Sequence, residues 1–171
     1  MTDARPAGES QSRRTQGQSS KLPPAPQADS RFWWFWERFT GFHTTVYKLS
    51  RGKLGGTAFG APVALVESVG RKSGKRRTHP LLCTEDGDNL VVVASKGGVH
   101  RHPAWYHNLK ANPETTANWY GDVRRVRARE AKGGERERLW KQMVDVYPTY
   151  EAYQRRTERQ IPVLVLEPVG G

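Results

Sequence analysis

The chain has 171 residues, with 28 Lys and Arg against 17 Asp and Glu and a formal net charge of +11. That length suits one compact domain plus a tail, with a core large enough to need neither disulfides nor a structural metal. Cys83 is the sole cysteine, so no intrachain disulfide exists, the longest apolar runs fall far short of the ~18 residues of a membrane span, and the excess charge favours anionic partners.

Residues 1–30 are rich in Ser, Gln, Pro, Gly and Ala and have almost nothing to bury, so a disordered tail is expected there. Arg5, Arg13, Arg14 and Lys21 stand against Asp3, Glu9 and Asp29, a net of +1, which leaves the excess charge in a domain over residues 31–171. No apolar stretch follows Arg13-Arg14, which argues against an export signal, and the lone cysteine fits a reducing cytoplasm.

The character changes at Phe32-Trp33-Trp34-Phe35-Trp36. Phe32, Trp36, Phe39 and His43 keep helical spacing, continued by Val46 and Tyr47, and predict a helix over about 31–50. Five consecutive aromatics point all around a helix, so one core cannot take them all. Besides core packing, they suit peripheral contact with the inner face of a membrane, with Arg31 and Arg38 alongside. Gly52, Gly55, Gly56 and Gly60 mark a loop.

Residues 62–69 read as a buried strand and are followed by Gly70-Arg71-Lys72-Ser73-Gly74-Lys75-Arg76-Arg77, a tight connection with five cationic side chains and no acidic one. A second strand is expected over about 76–85, then a hairpin turn at Asp86-Gly87-Asp88-Asn89. Leu90-Val91-Val92-Val93-Ala94 is β-branched and apolar on both faces, as a central strand is, and stops at Ser95-Lys96-Gly97-Gly98. Pro103 suits the first position of a helix reaching about residue 111, with Trp105 and Leu109 on one face and Asn112-Pro113 as its stop.

Two strands follow at 114–120 and 122–130. In the second, Arg125, Arg127 and Arg129 alternate with Val126 and Ala128, one cationic face and one buried. A helix over about 135–146 turns Leu139, Met143 and Val146 inward. Tyr147-Pro148 interrupts it, a short helix carries Tyr150 and Tyr153, and Ile161 to Leu166 is the last strand. The order α-β-β-β-α-β-β-α-β excludes a strictly alternating parallel fold and predicts an antiparallel barrel or curled sheet with helices outside.

The basic turn is not a G-x-x-x-x-G-K-[ST] phosphate loop: three residues separate Gly70 from Gly74, and Arg76 stands where Ser or Thr belongs. It is either a solvated hairpin or a seat for an anion that relieves repulsion among Arg71, Lys72 and Arg77. Ser95-Lys96-Gly97-Gly98 offers a hydroxyl, an ammonium and two permissive backbone positions, a second anion seat. His100, His102 and His107 have no Cys or carboxylate nearby to complete a zinc set. Tyr147, Tyr150 and Tyr153 either pack or wall a planar ligand. Ser73 and Ser95 show no signature of activation, so a cofactor is expected to carry any chemistry.

Gly70-Arg71-Lys72-Ser73-Gly74, Pro80-Leu81, Ala94-Ser95-Lys96-Gly97-Gly98 and His102-Pro103-Ala104-Trp105-Tyr106-His107-Asn108-Leu109-Lys110-Ala111-Asn112-Pro113, with Met143 to Tyr153 and Ile161-Pro162-Val163 in order, resemble the deazaflavin-dependent nitroreductases and quinone reductases of actinobacteria. The resemblance covers about residues 31–168. It implies an α+β fold, a mostly antiparallel split β-barrel of the FMN-binding type with outer helices. It implies hydride transfer from reduced coenzyme F-420 to a quinone or nitroaromatic acceptor. By the same resemblance Arg71, Lys72 and Arg77 hold the coenzyme's phosphate and polyglutamate tail. Ser95, Lys96 and Gly97 lie near the phosphate or ring, and Pro80 and Trp105 line the ring pocket. Tyr147, Tyr150 and Tyr153 shape the acceptor pocket, with Tyr150, Tyr147 and Ser95 the catalytic candidates. A nucleic-acid-binding module, or the same fold holding FMN or a haem-like ligand, are the alternatives.

Overall fold

The computed structural model describes residues 57–58 and 61–170. The expected tail over 1–30 and the aromatic helix over 31–50 lie outside the described residues.

Strand β1 (Thr57–Ala58) pairs with the start of β2 (Ala61–Val69). Then come β3 (Arg76–Asp86), β4 (Asn89–Val93), helix α1 (Ala104–Ala111), β5 (Glu114–Trp119) and β6 (Asp122–Glu130). Helices α2 (Gly133–Val146) and α3 (Thr149–Arg155) precede β7 (Val163–Pro168). The sheet order from β2 is β2-β3-β4-β7-β6-β5, and β5 pairs back onto β2 through Ala64↔Trp119 and Val66↔Ala117. Every pairing is antiparallel. The six strands β2 to β7 therefore close a split barrel, as the family resemblance implies and where the strand order alone left a barrel or a curled sheet, and closure leaves those strands without open edges.

Strand alternation sorts the side chains into two cores. Ala64, Val66, Cys83, Val92, Val126 and Leu164 fill the barrel. Val91, Val93, Val163 and Val165 face outward and are covered by Leu139 and Met143 of α2 and Tyr150 of α3. That two-sided burial is why β4 is apolar at successive positions.

Small departures have local causes. Pro103 is the residue before α1, with φ −65° and an extended ψ of 152°, so the helix begins at Ala104. The last ladder runs Val163–Pro168; Ile161 and Pro162 are buried ahead of it, where the Pro162 carbonyl accepts from the Ala94 N–H at 2.9 Å.

The register fixes what meets where. Val69↔Arg76, Val93↔Val163, Glu130↔Leu164 and Glu114↔Arg127 are terminal pairs at one end of the barrel. That end collects the basic turn, the connection carrying α1, and the segment between α3 and β7. Helix α1 packs there, with Trp105, Tyr106 and Leu109 joining the interior core.

Candidate functional site

The basic turn is built by backbone bonds. The Gly74 N–H donates to the Gly70 carbonyl at 2.7 Å, and the Gly70 N–H to the Lys75 carbonyl at 2.9 Å. Gly74 takes φ +64°, a left-handed conformation that glycine adopts without a Cβ penalty. Arg71, Lys72, Lys75, Arg76 and Arg77 are all exposed, and Arg76 reaches Glu67 at 3.6 Å.

A buried polar chain ties this turn to α1. The Arg71 backbone N–H donates to Asn108 Oδ1 at 3.2 Å, which turns Asn108 Nδ2 toward Ser68 Oγ, also at 3.2 Å. Ser68 Oγ then meets His79 Nε2 at 2.9 Å. Ser68 accepts from Asn108 and its second contact is the His79 ring, whose lowered pKa keeps it neutral at neutral pH. Burial, reinforced by the Arg77 charge, holds the His79 pKa down at about 4. Ser68 and Asn108 are 1% and 5% exposed, so each bond stands in for water that cannot reach it.

The Ser95–Gly98 loop has an unusual backbone. Lys96, Gly97 and Gly98 take φ of 47°, 64° and 79°, three consecutive left-handed residues, one of them not glycine. A Cβ on Gly98 would lie 2.5 Å from the Tyr153 carbonyl oxygen, so only glycine fits against α3. Arg156 donates to the Gly97 carbonyl at 3.4 Å, with its guanidinium 5.6 Å from the Tyr153 ring centre.

Arg159 braces the same loop from the far side. Its Nη2 donates to the Ser95 carbonyl at 2.7 Å, its Nε to the Val99 carbonyl at 2.9 Å, and its Nη1 contacts His102 Nδ1 at 3.1 Å. A guanidinium only donates, so His102 presents a bare Nδ1 and is neutral. Burial, then the Arg159 charge, pushes the His102 pKa down, in agreement. The His102 ring lies 4.8 Å from that of Tyr106, whose hydroxyl donates to Glu130 at 2.8 Å. Among the described residues no three His, Cys, Asp or Glu side chains gather as a metal site would need.

The three tyrosines cluster on the outer core. Tyr147 and Tyr150 stand edge to face at 5.2 Å, Tyr150 and Tyr153 at 6.2 Å. Tyr150 is 4% exposed, whereas Tyr147 and Tyr153 are half-buried. Burial raises the Tyr150 pKa, and burial with a hydrogen bond to Tyr147 raises that of Tyr153 to about 12, so both phenols keep their protons at neutral pH.

The residues singled out from sequence therefore fall into three groups. Arg71, Lys72 and Arg77 stand on the exposed turn. Ser95, Lys96 and Gly97 form the half-buried loop, with the tyrosines against its back at Gly98. Trp105 belongs to the barrel interior, its ring 6.5 Å from His79, and Pro80 is half-buried on β3 opposite Leu65. Sequence reasoning missed Asn108, His79 and Arg159. Asn108 was accessible: it lies three residues after Trp105, on the buried face of α1.

A family model described as F420H(2)-dependent quinone reductase matches residues 39–168. The F420H(2)-dependent quinone reductase Rv1261c of Mycobacterium tuberculosis is 40% identical over 129 residues, which cover 72% of this chain and 86% of that protein. Rv3178 of the same organism, named provisionally for the same activity, is 46% identical over 107 residues, 63% of this chain and 90% of that one. Among solved structures, an F420-H2 dependent reductase at 45% identity covers 62% of this chain and 94% of its own, with a TM-score of 0.59. A second, described as a domain-swapped dimer, is 38% identical and covers 81% of this chain and 100% of its own, with a TM-score of 0.60.

Proposed function

The chain belongs to the F420H(2)-dependent quinone reductase family, and from that premise we propose that it passes a hydride from reduced coenzyme F-420 to a quinone acceptor. It is an oxidoreductase whose cofactor is coenzyme F-420. One observation carries the placement of the coenzyme: the barrel register brings an exposed five-cation turn and the left-handed Ser95–Gly98 loop to one end, the turn bonded to α1 through Asn108 and the loop braced by Arg159. An anionic tail and a phosphate suit those two features.

When bound, the coenzyme supplies the hydride from its deazaflavin ring. In this reading Arg71, Lys72 and Arg77 hold the polyglutamate tail, and Ser95, Lys96 and Gly97 hold the phosphate. Pro80 and Trp105 support the ring. Tyr147 and Tyr153 wall the acceptor, and the buried Tyr150 fixes their orientation from behind. Burial keeps the Tyr153 and Tyr150 hydroxyls protonated; in this reading the hydroxyls of Tyr147 and Tyr153 face the acceptor, and Ser95 is a third hydroxyl at the loop.

Menadione and a nitroimidazole added to purified protein with reduced coenzyme test the reading and separate the two acceptor classes. Coenzyme oxidation dependent on menadione is the expected result; no binding and no oxidation would sink it. Lys72→Ala and Lys96→Ala should each weaken coenzyme binding, and unchanged affinity in both would remove the site assignment. A mobility shift with nucleic acid at low salt, or a yellow preparation, would favour the other two readings.

Peripheral contact with the inner face of a membrane is proposed from the sequence of Phe32–Trp36 alone. Among the described residues no helix is long and apolar enough to cross a membrane. Co-sedimentation with anionic vesicles, lost in a chain whose Trp33, Trp34 and Trp36 are changed to Ser, tests the contact.

A further inference from the structure

Arg159 sits in the segment between α3 and β7, outside every motif that marks the family in this sequence. All three of its guanidinium nitrogens are engaged: Nε with Val99, Nη1 with His102, and Nη2 with Ser95 at 2.7 Å and Ala94 at 3.4 Å. Every one of these acceptors is neutral. No carboxylate among the described residues pairs with Arg159. Arg129 by contrast binds Glu135 and Glu167, and Arg138 binds Asp86, whereas Arg136 stacks on Trp140 and donates to the Ile161 carbonyl. Arg159 is moreover half-buried, and desolvation pulls its pKa down, against keeping the charge.

The contacts bracket the strained part of the loop. Ser95 precedes Lys96 and Val99 follows Gly98, so the guanidinium grips the backbone on both sides of the three left-handed residues. A non-glycine residue such as Lys96 at φ 47° persists only where its surroundings over-determine it. A lysine at this position would supply one ammonium instead of a planar fork.

We propose that Arg159 is the positioning residue of the coenzyme's phosphate seat: it clamps the Ser95–Val99 backbone and adds a cation that has no acid partner among the described residues. The inference rests on the functional reading above, which puts the phosphate at this loop, and it assigns Arg159 no part in hydride transfer.

The test compares intact coenzyme F-420 with its deazaflavin riboside, which lacks the phosphate and glutamates, on the wild-type chain, Arg159→Lys and Arg159→Met. Binding is read by coenzyme fluorescence at low and high salt, with kcat and KM alongside. Arg159→Met should weaken the intact coenzyme by about tenfold or more at low salt and flatten the salt dependence, as loss of a charge-assisted contact does. The riboside should change less than about twofold, and the KM for the intact coenzyme should rise in step with its weaker binding. Arg159→Lys should recover part of the affinity and of the salt dependence. Equal losses for coenzyme and riboside would reduce Arg159 to a structural brace and overturn the proposal, as would unchanged binding of both. If Arg159→Met does not fold, the Lys variant decides alone: a selective loss of the intact coenzyme sustains the proposal and none refutes it. A wild-type chain that binds no coenzyme is a different result, and it overturns the functional reading itself.

Discussion

Acid should weaken this fold through His79. The ring is neutral, lies 2.9 Å from the Ser68 hydroxyl, and has its pKa lowered from 6.5 to about 4 by burial and by Arg77. The folded chain thus holds the proton less tightly than the unfolded chain, so between the two values the unfolded state binds more protons. The stability involved is full above about pH 6.5, falls as the pH drops, and is gone below about 4. At about 1.4 kcal/mol per decade, the ceiling is about 3 kcal/mol. Urea unfolding followed by tryptophan fluorescence at about pH 7, 6, 5 and 4 measures it, for the wild type and for His79→Gln. The glutamine keeps a polar group toward Ser68 and does not titrate. His102 and His107, whose pKa values are also pushed down, titrate in both proteins and cancel in the difference. The wild type should lose about 2–3 kcal/mol more than the variant between neutrality and about pH 4. Parallel curves would refute the claim that His79 is held neutral by burial.

Asn108→Ala strands the Arg71 N–H and takes one of two partners from the Ser68 hydroxyl, a loss of about 1–3 kcal/mol that should lower the melting temperature by about 3–8 °C and weaken coenzyme binding. An unshifted melting curve would show that water replaces the amide. Gly98→Ala puts a Cβ 2.5 Å from the Tyr153 carbonyl oxygen at φ +79°. It should cost about 2 kcal/mol or more and raise the acceptor KM by displacing α3, as unfolding and steady-state rates will report.

Most of the barrel was legible because its strands are bounded by residues that cannot continue a ladder. The basic turn, Asp86-Gly87-Asp88-Asn89 and the Tyr120-Gly121 corner all announce themselves. Closure was not legible. Ala64, Leu65 and Val66 pair with β3 on one edge and β5 on the other, and an apolar run looks the same with one neighbour or two. Nor does the sequence show that β7, the last strand, slots between β4 and β6. At the site the free cations were visible as a cluster, while Arg159 was hidden in Arg155-Arg156-Thr157-Glu158-Arg159, a run that reads as solvated. Its role depends on which loop lies opposite, and only the fold decides that.

Charge shows how far a count of residues misleads. Arg125 and Arg127 of β6 alternate as cations on a nucleic-acid-binding strand do, yet both reach Glu114, at 3.7 and 3.6 Å, and Arg124 pairs with Asp122 at 2.6 Å. Exposed pairs of this kind add little stability, but they cancel field. On the basic turn only Arg76 has an acid within reach among the described residues, and the side chains of Arg71, Lys72, Lys75 and Arg77 make no ion pair there. The positive potential of the described chain is therefore concentrated at the turn rather than on β6. Antiparallel closure then does the rest: β2, β4 and β6 all end where β3, β5 and β7 begin, so the turn, the Ser95–Gly98 loop and Arg159 share one end of the barrel. An anionic ligand drawn to the turn by long-range attraction arrives beside the loop that Arg159 holds in shape.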